Sequence, residues 1–260
     1  MEAPRIKLYK KLDDIYVYIV DGELIRAHLD IDFTDYGHYY SIKGPPKGEF
    51  WIDQDSHPEE YPLFLDAMIR EYTLMEKGAS YNDARKEADT VVQRERAKRF
   101  GLTPKDLKDI SQKAIIKRLW TFNDVDVFQV RGKIVRAVDN SYSEGGHSRV
   151  YPYVKKPEGK EGAIWLDDAL ENRKLVDKLI LFHEYFEFCL MGFDVPYEEA
   201  HFFASAIELN CRNFLHNLDF SLEYTIRFHD KQDVLMKLMS VITIKKLNKD
   251  MRSVKDIFNI

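Results

Sequence analysis

Apolar and polar positions alternate, with β-branched and aromatic residues between them, over residues 16–25 (YVYIVDGELI) and again over residues 127–138, and both runs read as strands. Each run leads into a glycine-containing turn that closes on His38 or His147. A short strand follows in each case, GEFWID ending at Asp53 and GAIWLD ending at Asp167. Helical spacing of apolar positions then marks residues 58–77 and 81–96 after the first strand pair, and residues 171–191 and 197–213 after the second. Ser80 and Asp194 stand where caps of the second helices are expected, and Pro196 is tolerated near a helix start. Residues 100–123, with KDLKDISQKAIIKRLW after Thr103-Pro104, read as an independent linking helix. Residues 214–260 read as mostly helical, with residues 233–247 (DVLMKLMSVITIKKL) the clearest amphipathic segment.

The order of elements is the same twice, and so are particular residues. Gly22 matches Gly132, Arg26 matches Arg136, Asp30 matches Asp139, Gly37-His38 matches Gly146-His147, and Asp53 matches Asp167. Leu74-Met75 matches Leu190-Met191, Tyr81 matches Tyr197 and Ala84 matches Ala200. The predicted fold is therefore α+β, an internal duplication of a strand-strand-helix-helix unit in pseudo-twofold relation. The copies span residues 14–98 and 124–212, joined by a linking helix at 99–123 and followed by a helical C-terminal extension at 213–260.

Composition narrows the class without naming a function. In 260 residues, 45% hydrophobic content is enough for a sizeable core, and 32% charged residues with a net charge of -5 mix both signs over the surface. Neither nucleic acid nor a membrane is expected as a partner. Two cysteines, Cys189 and Cys211, exclude a disulfide framework and a cysteine-based zinc site, and both fit packed thiols in a reducing compartment. The N-terminus lacks the apolar core of a signal peptide, and no run approaches the roughly 18 to 20 apolar residues of a membrane span, so a cytoplasmic protein is expected. Oligomeric state leaves no mark on the pattern.

Candidate chemistry concentrates in residues 181–208. On a helix, His183 and Glu187 lie one turn apart on one face, with Glu184 adjacent, and His201 and Glu208 share a face of the next helix two turns apart. Two facing helices would bring two imidazoles and carboxylates together. In the first copy His183 is replaced by Ala67, Glu184 by Met68, His201 by Arg85 and Glu208 by Val92, and Glu71 alone is kept, opposite Glu187. Joint loss from one copy is what an inactive pseudo-copy would display. His147 differs, because His38 matches it in the copy without the cluster, so a structural role such as a hydrogen bond to the backbone is expected.

The string His-Glu-x-x-Glu resembles the His-Glu-x-x-His helix of zincin metallopeptidases. The wider order, a strand GAIWLDD, the motif helix, and a second helix with Glu-Ala-x-x-x-Ala from Glu199 to Ala204, is similar to the compact zincin-like domains of the ImmA/IrrE type. The resemblance covers residues 160–208. It implies that His183 is the first ligand, Glu184 the general base on the metal-activated water, Glu187 the second ligand, and the second helix the source of the third. The chain departs from the family in having Glu as second ligand, and His201 competes with Glu199 for the third place. Glu208 then serves as a fourth ligand or as the partner that fixes a histidine tautomer. Zinc is the implied ion, and the oxygen-rich set also suits manganese or iron. A metal-dependent hydrolase acting on a peptide or protein substrate follows. The alternatives are a polar arc in which Glu184 and Glu187 face solvent, His201 as a surface residue, and a non-catalytic interaction scaffold in which any metal is a staple. His57, His216 and His229 fall in no pattern, and strand and core packing explain Tyr39, Tyr40, Tyr151 and Tyr153 as well as base stacking does, a reading that the net charge of -5 disfavours.

Overall fold

The computed structural model describes residues 4–171, 174–235 and 237. The chain opens with a hairpin, β1 (Arg5–Leu12) and β2 (Ile15–Val20), joined by Asp13-Asp14. There follow α1 (Gly22–His28), β3 (Tyr36–His38), β4 (Glu49–Asp53), α2 (Tyr61–Glu76) and α3 (Tyr81–Arg99). After two short helices, α4 (Pro104–Lys108) and α5 (Ile110–Ala114), the same order returns. It runs β5 (Ile115–Phe122), β6 (Val125–Val130), α6 (Gly132–Val135), β7 (Gly145–His147), β8 (Gly162–Asp167), α7 (Lys174–Met191) and α8 (Tyr197–Asn213), and α9 (Leu218–Arg227) comes last.

The duplication is visible in the strand pairing. One sheet has the order β1-β2-β4-β3 and the other β5-β6-β8-β7, each with an antiparallel hairpin, a parallel central pair and an antiparallel short strand. Register agrees as well: Gly37 lies opposite Trp51, and Gly146 lies opposite Trp165. The fold is α+β with an internal duplication.

Three expectations are corrected. The alternating runs do not stay extended, because Asp21 ends the first strand by accepting a hydrogen bond from the Leu24 N–H and so caps α1. Gly22, first in that helix, lies so close to Asp53 that a Cβ would meet its carboxylate at 1.8 Å. The linking helix stops at Ala114, and IIKRLWTF is the strand β5, turned back onto β6 through Asn123 and Asp124, both at positive φ as a tight two-residue hairpin requires. Ser80 caps α3 through the Asp83 N–H, whereas Asp194 sits at φ 61 ahead of α8 and the cap position falls to Pro196. The amphipathic segment expected at residues 233–247 lies, beyond its first residues, outside the described ones.

The chain divides into two compact units, Met1–Ala114 with Arg131–Glu144, and Ile115–Val130 with Gly145–Ile260. In the first, Val17, Phe50, Ile52, Phe64 and Met68 form the core between sheet and α2. In the second, Ile164, Leu166, Phe182, Tyr185, Phe186 and Leu190 bury the rear of α7 against its sheet and α8. That packing leaves the His183 and Glu187 face of α7 turned toward α8. Cys189 and Cys211 are buried in the same core, and burial pushes both thiols up to about 12. Among the described residues, no helix is long and apolar enough to cross a membrane.

Candidate metal centre

Helix α7 places His183 and Glu187 at i and i+4, and α8 packs alongside with His201 in its second turn and Glu208 two turns later. The pairing brings together three side chains. His183 Nε2 lies 3.2 Å from His201 Nδ1 and 3.6 Å from Glu187 Oε2, and His201 Nδ1 lies 2.8 Å from the same carboxylate oxygen. Ligands at 2.0 to 2.1 Å in a tetrahedral shell stand about 3.3 Å apart, so this triangle has the dimensions of three metal donors.

What lies behind the three donors decides their orientation. His183 Nδ1 is 2.7 Å from Glu208 Oε2, and Glu208 Oε1 accepts a hydrogen bond from Arg212 Nε at 2.7 Å. Burial alone would raise the Glu208 pKa, but Arg212 and His183 outweigh it and hold the carboxyl down at about 2. An ionised Glu208 can only accept, so the His183 Nδ1–H donates to it and Nε2 faces the cluster. Glu208 is therefore the orienting partner of His183 and not a fourth ligand, since its two oxygens are committed to His183 and Arg212.

Glu187 is held in the same manner by His147. The Arg149 backbone N–H donates to His147 Nδ1 at 3.3 Å, which leaves Nε2 as the protonated nitrogen, 2.8 Å from Glu187 Oε1. Burial keeps His147 below its ordinary pKa despite the facing carboxylate. His147, Glu184 and Glu187 also lie near enough to share an ion. With Nδ1 taken up by a backbone donor and Nε2 carrying the proton, His147 has no lone pair to offer one.

Desolvation tends to raise the Glu187 pKa, but hydrogen bonds from His147, His183 and His201 outweigh it and hold the carboxyl far below the usual range. For His183, burial opposes protonation, yet the bonds to Glu187 and Glu208 win and raise its pKa well above normal. The carboxylates of Glu187 and Glu208 thus favour the protonated form of the imidazole between them. Glu184, half-buried beside it, is raised to about 8, by desolvation first and by Glu187 second, with His183 and His201 opposing. His201 is the accessible edge: its side chain is 37% exposed against 9% for His183 and 3% for Glu187, and its ring lies against Tyr197 at 5.5 Å.

The first repeat provides an internal comparison. The pair His183–Glu208 becomes Ala67 and Val92, which pack against each other and Leu63. Met68 joins the apolar core where Glu184 stands in the second copy. Arg85, opposite His201, sends Nη1 to the Tyr81 hydroxyl at 2.9 Å and Nε toward Glu71 Oε1 at 3.6 Å, so a guanidinium supplies the positive charge. His38 still faces Glu71 at 3.3 Å, with the Tyr40 N–H on its Nδ1. Tyr36 of β3, stacked on Phe64, corresponds to Gly145 of β7. A Cβ at Gly145 would come within 2.9 Å of Glu184, so the glycine makes room for that carboxyl.

Of the residues picked out in the sequence, His183, Glu187 and His201 converge with Glu184 beside them, Glu208 stands behind them, and Glu199 is exposed and outside the cluster. Sequence reasoning gave His147 its backbone hydrogen bond but missed its grip on Glu187. The missed signal was that His38 and Glu71 are kept together in the copy that lost everything else. His229 Nδ1 is engaged by the Ile226 carbonyl, and Tyr151, Tyr153 and Trp165 pack in sequence. No protein-family model matches the chain, and neither a curated protein nor a solved structure matches it.

Proposed function

We propose that the chain is a metal-dependent hydrolase of zincin-like type, with its centre on His183 Nε2, Glu187 Oε2 and His201 Nδ1 of the second repeat. The observation that carries this reading is the donor triangle, in which His183 and Glu187 are each fixed from behind by a second polar partner, Glu208 and His147. A two-histidine, one-carboxylate set is used for zinc in hydrolases and for iron(II), and manganese is compatible with its oxygen content. When bound, such a cation supplies a Lewis acid that lowers the pKa of a coordinated water.

The chain's own residues do the rest. Glu184 is positioned to take a proton from the attacking water and to return it to the leaving group, and a nearby divalent charge would lower its present value of about 8 toward neutrality. Gly145 keeps the space in front of it open. Exposure on the His201 side is the route by which substrate reaches the centre. The zincin-like resemblance points to a peptide or protein substrate, and two buried free thiols suit a reducing, cytoplasmic setting.

The test is elemental analysis of the purified protein after exposure to zinc, manganese or iron(II), together with hydrolysis of an unfolded protein substrate. One equivalent of metal is expected in the wild type and none in His183→Ala. Glu184→Gln is expected to retain the metal while hydrolysis falls by about 10²- to 10⁴-fold. Absence of bound metal from the wild type would remove the proposal. A metal-loaded protein whose Glu184→Gln variant behaves as wild type would instead mark the ion as a staple between α7 and α8.

A further inference from the structure

The two repeats differ in what covers the groove between the strand hairpin and the helix that follows the sheet. In the second repeat α9 lies there, packed on α7 with Leu218, Leu222 and Ile226 against the core. Asn123, at the turn between β5 and β6, donates its amide to the Ile226 carbonyl at 2.7 Å and to the Tyr185 hydroxyl at 2.8 Å. That carbonyl is among the last four of α9, which have no partner inside the helix.

The first repeat keeps the groove, and among the described residues no counterpart of α9 follows α3. The chain turns instead into α4 and α5, which pack on each other and on α6. A cavity of about 650 Å³ stays open between the first hairpin and α2, lined by Leu12, Asp13, Asp14, Ile15, Ile69 and Tyr72, and its volume is that of a binding site. Ile15, Ile69 and Tyr72 are half-buried, whereas their counterparts Val125, Tyr185 and Phe188 are at most 3% exposed. The same apolar strip is thus sealed in one copy and left to water in the other.

Charge decides which helix fits the open copy. Asp13 stands where Asn123 does, in the same left-handed backbone conformation, φ 46 against φ 44. A carboxylate only accepts, so it cannot cap a helix carbonyl as the Asn123 amide does, and with Asp14 it repels the negative end of a helix dipole. Lys47 also lines the cavity but is drawn to Glu76 at 2.9 Å. A helix ending in lysine or arginine resolves the conflict, because its cations meet its own last carbonyls and the two aspartates together. Further along α2, Asp66 and Thr73 replace Phe182 and Cys189, which confines the apolar contact to the last turns of the guest.

We propose that this groove receives an amphipathic helix of a partner protein, seated as α9 is in the second repeat, with lysine or arginine in its last turn facing Asp13 and Asp14. The site stands on the first repeat and does not depend on the metal reading. Fluorescence anisotropy with the full chain at low ionic strength tests it. The probe is a labelled peptide of the α9 sequence LDFSLEYTIR extended by Lys-Lys-amide, and the controls are the same peptide extended by Glu-Glu-amide and a scrambled one. Saturable one-to-one binding is expected for the Lys-Lys peptide only. Ile69→Glu is expected to weaken it by about tenfold or more, the fold-change for losing one buried aliphatic side chain. Asp13→Asn, which restores the amide of the second repeat at an exposed position, is expected to weaken it by about threefold. Should Ile69→Glu fail to fold, Asp13→Asn and the Glu-Glu peptide decide the matter. No saturation by the Lys-Lys peptide, equal binding of either control, or unchanged affinity in the folded variants overturns the proposal.

Discussion

Two residues of the second repeat separate holding an ion from using it. Glu208 bonds to His183 and Arg212 and stands behind the donors, so Glu208→Gln should leave every donor in place yet lose control of the His183 ring and tautomer. A drop in metal affinity of about 10- to 100-fold is expected, read by competition with a chelator of known affinity. An unchanged affinity would show that α7 packing alone orients the imidazole. Gly145 acts on the other function. Gly145→Ala would press a methyl against Glu184 and against Ile180 at 2.8 Å, so hydrolysis should fall while bound metal stays at one equivalent. Loss of the metal along with the activity would mean that β7 supports the ligands as well as the base.

At the scale of elements, the start of α2 shows how buried charge ties segments far apart in sequence within one unit. Glu60 precedes α2 and accepts from Arg96 Nε at 2.6 Å and Arg136 Nε at 2.7 Å, with all three side chains buried. Desolvation would raise the Glu60 pKa, but Arg136 and then Arg96 outweigh it and lower it. Glu60→Gln leaves two guanidinium groups without their counter-charge and is expected to cost about 3 to 5 kcal/mol in urea unfolding at neutral pH. Because the folded pKa is depressed, this stabilisation is present above the ordinary carboxylate pKa of about 4.3 and is lost as pH falls through the lower folded value. The gap between wild type and variant should therefore shrink below that pH; a gap independent of pH would assign the loss to packing. The same elements mark what the sequence could and could not convey. Helices α2, α3, α7 and α8 were legible because their apolar spacing is long and regular, and the His183, Glu187 and His201 convergence followed from i, i+4 geometry on two of them. Strand β5 was not, since IIKRLWTF suits either period over eight residues and only its hairpin partner β6 settles the matter. Helices α1 and α6 were hidden because apolar residues continue past the caps at Asp21 and Arg131. The bond between His147 and Glu187 spans 40 residues, a distance over which local pattern is silent.

For the molecule as a whole, the duplication means that one chain carries a test site and its own control. Helices α7 and α8 hold the donor triangle; α2 and α3 have Ala67, Arg85 and Val92 in its place, with Glu71 alone retained. A cation that binds the folded second unit stabilises it by mass action, about 2.7 kcal/mol at a concentration 100 times the Kd, equivalent to roughly 100-fold in opening equilibria. Hydrogen exchange should therefore slow in α7 and α8 on addition of zinc, toward that limit for the amides exposed only when these helices separate, while amides of α2 and α3 keep their rates. His183→Ala should abolish the difference between the two helix pairs without altering exchange in α2 and α3. Equal slowing in both pairs, or slowing that survives His183→Ala, would place the cation elsewhere on the chain, and the asymmetry between Ala67, Met68, Val92 and their polar counterparts would then be a matter of core packing rather than of chemistry kept in one copy and discarded in the other.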